Sequence, residues 1–345
     1  MRAYPPAAVA CAALALACAG PVVQAVADSG PSVAFSLTDP RIKESSGLAA
    51  SRIHPGVYWT HDDSGDGPYV YAVDSATGKT VAKVTMRGIH ARDVEAISLG
   101  PDGDLYVGDI GDNLDGAWSE VWIYRFPEPR QLRDRTVDVT RYTVRYQDGP
   151  RNAEALMVHP RTGRVYIASK NEDGGHLYAG PTRLSSKGVN VFRRIADVPW
   201  VTDGAFSPDG SRLVLRGYLW ATDYRWVNGR PQKIGSLDVP LQPQGESVTY
   251  TTDGRALMFG SEGSDSEVWR EPLKGADLPD DVARQSPATA GGHNGTRGPA
   301  ENSAKDTKTT KSGGKVVGVA VVVGIGVIAM SVRNAARRRR RQSAQ

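Results

Sequence analysis

The chain has 345 residues, a formal charge of +4 and two cysteines, Cys11 and Cys18. Setting aside the eight cations at residue 2 and in residues 315–341 brings that +4 to −4 for residues 28–314, a mildly acidic balance that argues against nucleic acid as a partner. Both cysteines fall in the N-terminal leader, which excludes a disulfide framework and a thiolate metal site from the rest of the chain.

In chain order, residues 1–27 read as a secretory signal peptide: Arg2, an apolar run from Ala7 to Ala19, and small residues at Ala25 and Ala27 ahead of Asp28. Residues 28–282 are a succession of short strands rich in Val, Tyr, Leu and Ile, separated by Gly, Pro and Asp turns, with no amphipathic helix of convincing length. The expected fold class is therefore all-β.

One hairpin recurs through this region. Its clearest copy is Asp93 to Asn113, in which Glu95 opens a strand, a Pro-Asp-Gly turn follows, and a second strand ends in Asp109, Asp112 and Asn113. Asn152 to Ser169 repeats it around Glu154, and Gly245 to Ser261 around Glu246. Asp203 to Arg216 is one residue shorter before the turn, and Ser45 to Asp62 is longer and begins with serine. The starts at Ser46, Glu95, Glu154, Asp203 and Glu246 are 49, 59, 49 and 43 residues apart. That period predicts a β-propeller of five four-stranded blades, with six as the runner-up because the longest interval has room for further strands. The fifth repeat lacks a fourth strand, and the orphan Ser32 to Leu37 is its expected donor, closing the ring and covering two free edges.

Beyond the propeller, residues 283–314 carry almost no large apolar residue and read as a flexible stalk. Val316 to Val332 is uncharged and is followed by Arg333 and Arg337 to Arg341, the pattern of a single transmembrane helix (residues 315–332) with a basic cytoplasmic tail (residues 333–345). The expected location is the cell membrane, with the propeller outside.

The start of a blade's first strand and the end of its second emerge on one face. This gathers Glu95, Glu154, Asp203 and Glu246, together with Asp62, Asp109, Asp112, Asn113, Lys170 and Arg216, around one mouth of the channel. Such a set of hard oxygens suits Ca²⁺, so the first four are candidate metal ligands and the other six candidate ligand-binding residues. The alternative is a purely structural ring in which Lys170 and Arg216 neutralise the acids. There is no Gly-x-Ser-x-Gly or His-Glu-x-x-His signature, and His61, beside Asp62 and Asp63, is the one weak candidate for a catalytic base. Trp200 and Trp220 are placed to present rings near the mouth.

The phrases Glu44-Ser45-Ser46-Gly47-Leu48, Trp59-Thr60-His61-Asp62-Asp63-Ser64-Gly65, Asp109-Ile110-Gly111-Asp112-Asn113 and Asn152-Ala153-Glu154-Ala155-Leu156 resemble secreted or membrane-attached, WD-repeat-like β-propellers of actinobacteria. The resemblance spans about residues 40 to 270. More distantly, a glutamate on the innermost strands is similar to the calcium-binding propellers of the gluconolactonase and strictosidine-synthase-like group and of the esterase-like phytases, which implies a central metal that activates an ester or phosphate. The expectation is a membrane-anchored extracellular module that binds or scaffolds a protein or glycan. The alternative is a calcium-dependent hydrolase.

Overall fold

The computed structural model describes residues 30–63, 67–113, 116–171 and 174–285. The signal peptide, the stalk beyond residue 285, the membrane helix and the basic tail expected from the sequence lie outside them. Among the described residues no helix is long and apolar enough to cross a membrane.

The chain is all-β and folds as successive antiparallel meanders. The first comprises β2 (Ser45–Ala50), β3 (Val57–Asp62), β4 (Tyr69–Asp74) and β5 (Lys79–Met86), with short β9 (Arg135–Val137) added parallel to β5. β6 (Val94–Leu99), β7 (Asp104–Asp109), β8 (Val121–Pro127) and β10 (Thr140–Tyr146) form the second. The third is β11 (Ala153–Val158), β12 (Val165–Ser169), β13 (Gly175–Ala179) and β14 (Val189–Val198). A parallel pairing of β10 with β14 merges these two into one eight-stranded sheet. The fourth consists of β15 (Asp203–Phe206), β16 (Arg212–Gly217), β17 (Trp220–Val227) and β18 (Arg230–Leu237). The fifth contains β19 (Gly245–Tyr250), β20 (Ala256–Ser261) and β21 (Glu267–Pro272), and its outer strand is β1 (Ser32–Ser36), paired antiparallel with β21. The orphan N-terminal strand thus lies where the missing fourth strand was expected.

The first strands pack side by side in the order β2, β6, β11, β15, β19 and back to β2. This closed circuit of meanders is propeller-like. Each seam between neighbours is a separate apolar layer. Trp59, Val70 and Val84 meet Val107, Tyr124 and Phe126 between the first and second meanders. Phe35, Leu37, Met258 and Val268 meet Leu48, Tyr71 and Val73 between the fifth and the first. Burying a side chain of this size contributes about 1.5–3 kcal/mol, so the circuit is held at its seams rather than by cross-links.

After β21 the chain makes a 3-10 helix (Gly275–Asp277) and the short helix α1 (Asp280–Gln285), so α1 extends past residue 283, where the stalk was expected to begin. This segment docks on the turns between first and second strands. Arg212 grips it, donating to Asp280 Oδ1 (3.1 Å) and to the carbonyls of Ala276 and Leu278 (3.0 Å each). Ser211 Oγ and Asp209 Oδ2 accept the N–H groups of Asp280 and Asp281. These turns lie at the opposite end of the channel from the strand-one starts. At that end a cavity of about 170 Å³ is lined by parts of all five first strands.

Candidate functional site: the carboxylate mouth

The recurring acid is positioned by a β-bulge. In the first, second, third and fifth meanders the register between the first two strands slips by one residue at Ser46, Glu95, Glu154 and Glu246 respectively. A bulge adds one residue to a strand, bends it and re-aims the side chain there. The fourth meander is different: Asp203 pairs with Arg216 and the register runs uninterrupted, which is the structural meaning of its being one residue shorter. The residues two positions before each bulge are also polar: Glu44, Asp93, Asn152 and Gln244. Side chains two apart in a strand share a face, so the mouth is built in two layers. In the fourth meander the corresponding residue is Val201, fully buried among apolar neighbours.

Lys170, just past the end of β12, brings an ammonium into this ring. Its ammonium donates to Glu154 Oε2 at 2.5 Å and to the Tyr218 hydroxyl at 2.8 Å, and lies against the rings of Tyr218 and Trp200, 4.8 and 5.6 Å from their centroids. Trp200 meets Tyr218 edge-on. Around the ring, Gln244 Nε2 bridges Glu246 Oε1 (3.0 Å) and Glu262 Oε2 (2.5 Å). Asn113 Nδ2 donates to Asp93 Oδ2 at 2.9 Å, and Asn152 Nδ2 donates to Asn113 Oδ1.

The acids outnumber the cations, and their protonation reflects it. Burial, reinforced by neighbouring negative charge, pushes the carboxyl of Asp93 up to about 7 and holds that of Glu95 well above the usual range. Burial raises Glu154 to about 8, although Lys170 opposes it. Glu246 is raised by burial, and Glu262 by burial and by the charges of Glu246 and Glu44. Burial by itself would lower Lys170, but Glu154, Tyr218 and Glu246 hold it well above its normal value. These groups share protons and one ammonium as a unit.

Several sequence candidates have other employment. Asp62 accepts the N–H groups of Lys43 and Glu44, and Asp109 those of Arg92 and Asp93 together with the Tyr124 hydroxyl. Each staples the second strand of its meander to the chain entering the first. Asp203 accepts the N–H of Gly204 (2.7 Å) and, across the seam, that of Val248 (2.8 Å). Arg216 is fully buried over Phe259, donating to the carbonyls of Ser247 (2.8 Å) and Gly260 (3.0 Å). It ties the fourth meander to the fifth, and its charge also opposes the upward shifts of Glu246 and Asp203. Asp112 accepts Trp118 N–H and donates its own to Asn152. His61 is sealed between the first and second meanders, its Nε2 near Gly47 and Ile97 and without a hydrogen-bond partner among the described residues. Burial pushes it down to about 4, and a ring so enclosed has no reach to a substrate.

Glu95, Glu154 and Glu246 do come together, with Lys170 among them. As arranged, they do not form an oxygen cage for Ca²⁺, because an ammonium sits in the set and the oxygens of Asp203 are taken by backbone amides. Among the described residues no three His, Cys, Asp or Glu side chains are arranged to hold a metal ion. Sequence reasoning missed Asp93, Tyr218 and Gln244. The polar residue two positions before each recurring acid was the signal for Asp93 and Gln244.

No family model and no curated protein sequence matches this chain. Solved structures similar to it include the PQQ-bound form of aldose sugar dehydrogenase from Streptomyces coelicolor, at 12% identity and a TM-score of 0.42, covering 71% of this chain and 98% of that one. Another is U3-55K, at 12% identity and a TM-score of 0.38, covering 66% of this chain and 68% of that one.

Proposed function

We propose that this chain is a ligand-binding or scaffolding module: a five-bladed propeller held outside the cell by a membrane helix at Val316 to Val332, with a protein or glycan as its ligand and the carboxylate mouth as its contact face. The observation that carries this reading is the position of Lys170. Its ammonium is bonded to Glu154 and raised by Glu246 as well, so the centre of the acidic set is already neutralised by the protein, while Trp200 and Tyr218 present aromatic rings beside it. Polar groups bordered by a partly exposed aromatic ring, here Trp200 over the buried Tyr218, are the chemistry of a recognition surface.

A second reading is favoured by the excess of buried carboxylates at Asp93, Glu95, Glu154 and Glu246, each raised by burial. In it the chain is a calcium-dependent hydrolase, and Ca²⁺ displaces the Lys170 ammonium. One experiment separates the two. The chain is melted with calcium and with chelator, then assayed on lactone, aryl ester and phosphate panels. The binding-module reading expects an unchanged melting temperature and no turnover. A calcium-dependent rise in melting temperature with turnover that chelator abolishes would replace it with the hydrolase.

A further inference from the structure

Beside the mouth, between the fifth meander and the loop leading into the first, lies a groove of about 550 Å³. Two backbone hydrogen bonds tie the fifth meander to the chain entering the first, Leu37 N–H to the Ser266 carbonyl and Gly263 N–H to the Lys43 carbonyl. One wall is apolar: Leu241 is 76% exposed, and the partly exposed Trp269 ring is pinned by its Nε1–H donating to Glu267 Oε2 at 3.0 Å. The polar lining carries four acids, Glu44, Glu262, Asp265 and Glu267, against the single cation Lys43. The groove joins the mouth through Glu262 and Gln244, which belong to both.

A groove that combines the apolar Leu241 and Trp269 with the carboxylates of Glu44, Glu262, Asp265 and Glu267 matches an apolar stem that ends in a positive charge. A neutral glycan offers no charge to the acids, and an anionic one would be repelled. A bare metal ion leaves Leu241 and Trp269 without a role. The volume falls within the range of sites that enclose a small ligand.

We propose that this groove binds a lysine or arginine side chain of a partner peptide, its methylene stem against Leu241 and Trp269 and its cationic head toward Glu267 and Glu262. This rests on the reading of the molecule as a binding module and names its ligand class. The charge of Glu262 is held back by burial and by its acidic neighbours, so an arriving cation would expel a proton there and binding would tighten as pH rises.

The test uses the full chain, titrated calorimetrically with Nα-acetyl-lysine amide and with the same compound acetylated on Nε, which keeps the stem and removes the charge. The expected result is binding of the free amine at least fivefold tighter than its acetylated counterpart, weakened by salt and by lowering the pH from 8 to 6. W269A and E267Q should each weaken it by at least threefold, and the surface change E267Q keeps the test valid if W269A fails to fold. Equal binding of the two compounds, or no binding of either, overturns the proposal while leaving the mouth to be judged by its own calcium and turnover experiment. Binding that W200A abolishes but W269A and E267Q leave unchanged places the cation at the channel, which sinks the groove and keeps the binding-module reading.

Discussion

The Lys170 ammonium lies 2.5 Å from Glu154 Oε2, and the two residues close the two ends of one hairpin, β11 and β12. Both side chains are largely buried, 12% and 5% exposed. Lys170→Met leaves Glu154, Glu95 and Glu246 together without their ammonium. Breaking a buried pair by removing one partner costs about 3–5 kcal/mol. The loss should approach this at pH 9, where Glu154 is mostly ionised, and be smaller at pH 5, where it carries a proton, as read from urea denaturation at the two pH values.

The same cluster sets the pH dependence of the whole fold. The folded carboxyls of Glu154, at about 8, and Asp93, at about 7, lie above their unfolded values. The folded state therefore holds protons that the unfolded state has released, and the stability this gives is full below about pH 4 and lost as pH rises through 7 to 8. Unfolding free energy should fall between pH 5 and pH 8. Glu154→Gln should flatten the slope, and an unchanged slope in that variant would show that Glu154 is already ionised at pH 5.

Asp203 joins the fourth meander to the fifth through Val248 N–H. Asp203→Ala strands that buried donor, a loss of about 1–3 kcal/mol. The denaturant midpoint should drop, and hydrogen exchange at Val248 should quicken more than at Val107, which lies in the opposite seam.

Gly47 has no room for a side chain. A Cβ there would stand 2.6 Å from His61 Nε2 and 2.9 Å from the Ile97 backbone nitrogen. Since the second contact is backbone and cannot swing aside, Gly47→Ala should destabilise by about 1–3 kcal/mol, measured by thermal and urea melts.

Much of the fold was legible because its repeat is local. The paired ends observed, Ser45 with Asp62, Val94 with Asp109, Ala153 with Ser169, Asp203 with Arg216 and Gly245 with Ser261, follow the recurring acid-strand-turn-strand phrase. The donation of β1 to the fifth meander followed from counting strands. The parallel seam of β10 with β14 left no local mark, since both strands alternate like any outer strand and their pairing depends on how two meanders meet. Within the site, residue type showed which acids gather but not which way they point. Asp203 looked equivalent to Glu154, yet without a bulge its carboxylate turns to Val248. Arg216 looked like a rim cation, yet it lies beneath Gly245 in the seam.

The missing bulge at Asp203 has a geometric consequence. A ring of five like repeats would look the same after each fifth of a turn, and a ligand could settle on it in five equivalent poses. With bulges in four meanders, an uninterrupted pair in the fourth and buried Val201 where the others carry a polar residue, rotational equivalence is gone. The mouth has a compass direction, and a ligand docked there would meet a different set of groups at each heading.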